Sequence, residues 1–99
     1  MEKIGILIIC RHTEILQTIT RLVNNNQSWQ GIPAQTDEEA MAIFDTKTIK
    51  LVLLGSGIEQ QSEINLFTYF KTKNPEIIIV QHYGGGSGLL TAEIYEALK

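Results

Sequence analysis

The 99-residue chain has one cysteine, two prolines and one tryptophan. A lone cysteine, Cys10, cannot close an internal disulfide, so no covalent staple holds the fold and a reducing, cytoplasmic location is expected. Positive charge is scarce as well: eight Lys and Arg against eleven Asp and Glu leave a net charge of -3. That balance gives no electrostatic footprint for nucleic acid or for an anionic membrane surface. Long apolar runs are also missing. The first, Ile4 to Cys10, lies between Lys3 and Arg11 and is too short for a membrane span or for the layout of a signal peptide. A hydrophobic fraction of 43% and a charged fraction of 19% are ordinary for a globular protein, and the length fits one domain.

What the chain does have is alternation. Ile49 to Gly57 reads IKLVLLGSG, a short apolar run ended by glycines, as in a strand buried on both faces of a parallel sheet. Ile4 to Cys10 (IGILIIC) is a second such strand, and Glu76 to Val80 (EIIIV) a third. Trp29 to Gln35 contains Gly31 and Pro33, so it belongs at a sheet edge, where a missing N–H is tolerated. Between the strands lie helical spacings. Ile15, Leu16, Ile19, Leu22 and Val23 line one face after a Thr13 cap, with Glu14 in the first turn and Asn24 to Asn26 at the end. Thr36 to Glu39 form a capping box before Ala40, Met41, Ile43 and Phe44. Ser62 opens a third helix with Ile64, Leu66, Phe67 and Phe70 as its apolar set, ended by Asn74-Pro75. Core packing is expected for Phe67 and Phe70, with Tyr69 exposed and available to an interface. Leu89 to Lys99 is a last helix, with a very short strand over Gly88 to Leu90 as an alternative at its start.

Four strands alternating with four helices imply an α/β/α sandwich, and right-handed crossovers set the strand order at 2-1-3-4. Function in such a sheet gathers beyond the carboxyl ends of the strands. That rim collects Cys10-Arg11-His12, Gly55-Ser56-Gly57 and Gln81-His82-Tyr83.

ILIICRHTEIL, TDEEAMAIF, IKLVLLGSGI and PEIIIVQHYG resemble a response-regulator receiver (CheY-like) domain over roughly the first 84 residues. The resemblance implies a flavodoxin-like scaffold and a signalling context. It does not extend to the family's chemistry. The acidic pair that holds magnesium falls on Cys10 and Arg11, the phosphoacceptor aspartate on Gly55, and the threonine or serine after strand four on Gln81. The family's late lysine has no clear counterpart, Thr91 falling closest. Glycine has no side chain to phosphorylate, so a non-phosphorylatable signalling or protein-interaction module, not an enzyme, is expected. A receiver also has a further helix and strand before its last helix, where this chain has only Gly84-Gly85-Gly86-Ser87-Gly88. The strand Ile77 to Val80 is then an open apolar edge, which predicts a homodimer through that strand or through an exchanged last helix.

Two other readings stand beside this one. The glycine run before a helix, with Ser87, His82, His12 and Ser56 near the rim, is a candidate anion or small-molecule site (Gly84, Gly85, Gly86 and Gly88 supplying backbone N–H groups). A cysteine ending strand one, with LVLLG, also resembles the IIB components of sugar phosphotransferase systems, which implies a phosphocysteine at Cys10. Its loop, however, has no glycine and places Glu14 near the phosphate. The Cys10-x-His12 spacing, even with His82, matches no metal framework, so no metal or cofactor is expected.

Overall fold

The computed structural model describes residues 3–55, 57–81 and 87–98, with 87–91 described by backbone alone. Its elements are β1 (Ile4–Ile9), α1 (Thr13–Asn24), β2 (Trp29–Ala34), α2 (Asp37–Thr46), β3 (Leu51–Leu54), α3 (Gln60–Lys73), β4 (Ile78–Gln81) and α4 (Ser87–Ala97). The strands form one parallel sheet in the order β2-β1-β3-β4, as the crossover rule requires.

Alternation along the strands divides the core in two. Ile6, Ile8, Leu51 and Leu53 point to the side covered by α1 and α4, where they meet Leu16, Ile19, Val23 and Ile94. Leu7, Ile9, Val52 and Leu54 point to the other side and meet Ala40 of α2 and Leu66 and Phe70 of α3. β1 and β3 are central and apolar on both faces, which is why their sequences show no polar alternation.

Several boundaries differ from the sequence-based expectation, each for a local reason. β1 ends at Ile9; Cys10 lies just past it, its N–H reaching the Ala34 carbonyl at 3.2 Å. Thr13 is the first residue of α1 and not its cap: His12 holds the cap position, and the Thr13 hydroxyl accepts from Gln35 Nε2 at 2.6 Å. α3 starts at Gln60 after Glu59, not at Ser62, because the Glu63 N–H already closes a turn onto the Glu59 carbonyl. β4 starts at Ile78, since Glu76 N–H is held by the Asn74 side chain in a turn. α4 begins at Ser87, so the alternative short strand over Gly88 to Leu90 does not form. The capping box of α2 is present in full, Thr36 accepting from the Glu39 N–H and Glu39 from the Thr36 N–H.

The larger correction concerns α3. Ile64 and Phe67 are not core residues: they are 51% and 50% exposed, while Leu66 and Phe70 are buried. Tyr69 is half-buried, its hydroxyl donating to Asp45 Oδ2 at 2.6 Å.

Candidate functional site

The register aligns Ile9 with Ala34 and with Leu54, and Leu54 with Gln81, so the four strands end in one row. The residues that follow this row form the rim. The capping box fixes the start of α2 and so places the Asp37 carboxylate at the rim, at the positive end of that helix.

Arg11 crosses the rim. Its Nη2 donates to Asp37 Oδ1 at 2.6 Å and reaches Glu59 Oε2 at 3.5 Å, while Nη1 donates to the Gln35 carbonyl at 2.8 Å. Gln35 returns the contact: its Nε2 reaches the Arg11 carbonyl at 3.3 Å. One guanidinium thus joins the loops after β1, β2 and β3. Partial burial acts to lower its pKa, but the hydrogen bond and charge of Asp37, helped by Glu59, outweigh this and leave the pKa raised. Both carboxylates that could draw a cation are engaged by this arginine, so the residues present do not fit a magnesium ion. Among the described residues, no three His, Cys, Asp or Glu side chains come together.

The end of β3 is closed from below. The Gly55 N–H donates to the Ile9 carbonyl at 2.7 Å, and a Cβ built on Gly55 would lie 3.0 Å from Cys10 Cβ and 3.2 Å from that carbonyl. Cys10 is fully buried, and its thiol lies 3.7 Å from the His12 carbonyl as a weak donor. The thiol is thus not presented at the surface, where a cysteine that takes phosphate from a donor protein would have to stand. The His12 ring is exposed and lies over Gly57, where a Cβ would stand 2.9 Å from its Nε2. Gly57 has φ +86°, a conformation open to glycine at little cost, and this lets the β3–α3 loop settle on Arg11 and His12.

Gln81 turns to α3, its Nε2 donating to Glu63 Oε2 at 3.2 Å. Ser56, His82, Gly84, Gly85 and Gly86 lie outside the described residues, and Ser87 and Gly88 open α4. Asp37, Glu59 and Gln35 were absent from the sequence-based site. An arginine directly after a buried strand signals a need for counter-charges, and an acid opening one of the following helices, such as Asp37 of α2, is a source for them.

No family model and no curated protein matches the chain in sequence. Solved structures do match. The signal receiver domain of an HD domain-containing protein from Pseudomonas fluorescens Pf-5 superposes with a TM-score of 0.73 at 17% identity, covering 97% of this chain and 76% of that one. The chain has the receiver fold. A CheY-like response regulator receiver domain protein from Methanospirillum hungatei JF-1 gives 0.73 at 18% identity, with the same two coverages of 97% and 76%. One from Clostridium thermocellum gives 0.70 at 21% identity, covering 95% of this chain and 76% of that one. The receiver-like chain is thus shorter than these relatives in fold. Residues 82–86 separate β4 from α4, which packs beside α1 and β4. No helix among the described residues is long and apolar enough to cross a membrane.

Proposed function

We propose that this receiver-like chain is a signalling module that takes no phosphoryl group, catalyses nothing, and acts by protein contact as a homodimer in the cytoplasm. The observation that carries the reading is at the rim. Where the receiver resemblance puts a phosphoacceptor, Gly55 has no side chain and packs tightly on Cys10, and Arg11 spans the carboxylates that a metal would need. A guanidinium bound in this way is a fixed internal cation that ties three loops together and holds the rim in one state. The fold supports a signalling context by analogy, and the sealed site supports a role that does not depend on phosphotransfer.

The test is intact-mass spectrometry after incubation with acetyl phosphate and magnesium. The proposal predicts no phosphoryl adduct on the wild-type chain. An adduct would overturn it, placed on a rim carboxylate if it survives Cys10→Ser and on the thiol if it does not.

A further inference from the structure

The two sheet edges are treated differently. On β2, the carbonyl of Ala34 faces β1, so by alternation the N–H positions of Gly31 and Pro33 face outward. The Gly31 N–H is taken by Asn24 Oδ1 at 2.8 Å, and Pro33 has no N–H. That edge is closed to pairing. β4 is guarded at one end only: the outward Ile77 N–H is held by the Asn74 carbonyl at 3.0 Å and the Ile77 C=O by Lys71 Nζ at 2.7 Å, while no such contact covers Ile79 among the described residues. Ile78 N–H faces β3, bonding the Lys50 carbonyl, so the N–H and C=O of Ile79 face outward.

Beside this edge lies the exposed face of α3. Glu63, Phe67 and Lys71 are spaced i, i+4, i+8 and form one stripe, with Ile64 next to Phe67. The two charged ends of the stripe are each tied to an end of β4. Gln81 donates to Glu63 at 3.2 Å, and Lys71 Nζ donates to the Ile77 carbonyl at 2.7 Å while lying 5.8 Å from the Phe67 ring centroid. The order along the edge is therefore acid, aromatic, base.

We infer that a second copy of this chain docks here, β4 pairing antiparallel with β4 in a register centred on Ile79. This deepens the homodimer reading above and rests on it. In that register Ile79 exchanges both hydrogen bonds with its counterpart, while Ile77, its backbone already held by Asn74 and Lys71, lies opposite Gln81 and adds none. The two-fold axis then brings the Lys71 end of each stripe to the Glu63 end of the other, with Phe67 and Ile64 of both copies between. An isologous contact requires a self-complementary surface, and the reversed charge order supplies one. A parallel pairing of the two edges would put the second α3 on the opposite face of the sheet, so the stripes would not meet.

Sedimentation velocity on Glu63→Lys, Lys71→Glu and their equimolar mixture tests this, with circular dichroism confirming the fold of each. The wild type is a dimer. Each charge variant alone sets like charges together and weakens the dimer by roughly tenfold or more. The mixture restores it, since both contacts between the two variants are again opposite in sign. Phe67→Ser, which changes no charge, weakens the dimer and is not rescued by mixing. A monomeric wild type overturns the homodimer reading itself. A dimeric wild type whose charge variants stay dimeric, or fail to recover on mixing, overturns this surface and leaves the homodimer.

Discussion

A Cβ placed on Gly55 would stand 3.0 Å from the Cβ of Cys10, closer than nine in ten such contacts in proteins. The position that carries the phosphoacceptor in a receiver is thus tightly packed as well as lacking a side chain. Gly55→Ala is expected to destabilise the chain by about 1–3 kcal/mol, read as a lower urea midpoint, because the buried Cys10 side chain and the Ile9 carbonyl would have to shift by a few tenths of an ångström. Gly55→Asp adds a carboxylate to the same crowded place beside the Arg11 clamp. It is expected to lose at least as much stability and to gain no phosphoryl adduct from acetyl phosphate.

Arg11 is the second prediction. Removing the guanidinium in Arg11→Met leaves Asp37 and Glu59 facing each other without their cation. A loss of about 1.5–3 kcal/mol follows from charge-assisted hydrogen bonds of this kind in a partly buried setting. Arg11→Lys recovers only part of it, since one ammonium on a flexible stem cannot span the Gln35 carbonyl and Asp37 together as the planar fork does. Urea unfolding of the two variants against wild type measures both effects.

Much of this fold was legible in the sequence, and the misses have definite causes. The sheet order followed from four apolar strands and the handedness of their crossovers. The Thr36–Glu39 box was legible because it is contained in four residues. The Arg11 clamp was not, because its partners lie 26 and 48 residues away and meet only through the register of β1, β2 and β3. Helical periodicity puts Phe67 and Ile64 in one apolar set with Leu66 and Phe70 without reporting what covers each of them. The exposure of the first two follows from the topology: β4 ends the sheet, and among the described residues no helix lies beyond α3 on that face.

Tyr69 gives a pH-dependent prediction. Its hydroxyl donates to Asp45 Oδ2, and this hydrogen bond, with some desolvation and the nearby negative charge, raises the phenol above its ordinary value of 10.0. A phenol held neutral in the native state stabilises fully below the unfolded value, and that contribution is lost as pH rises through the higher native value. Tyr69→Phe should therefore differ in stability from wild type at neutral pH, with the difference shrinking above about pH 10. In an alkaline spectrophotometric titration the variant should lack a late-titrating tyrosine.

Gly57 is the fourth. At φ +86°, with the His12 ring where a Cβ would go, Gly57→Ala strains the backbone and displaces that ring. A loss of about 1–2 kcal/mol is expected from the left-handed conformation alone. Gly57→Ala/His12→Ala should recover the part due to the ring and keep the rest, which thermal unfolding of the single and double variants separates.

The most direct test of the account is sedimentation equilibrium of the wild-type chain with and without acetyl phosphate and magnesium. A homodimer that does not depend on phosphorylation gives twice the 11.1 kDa chain mass in both conditions, with the same dissociation constant. A monomer, or a mass that changes when the phosphodonor is added, would contradict it.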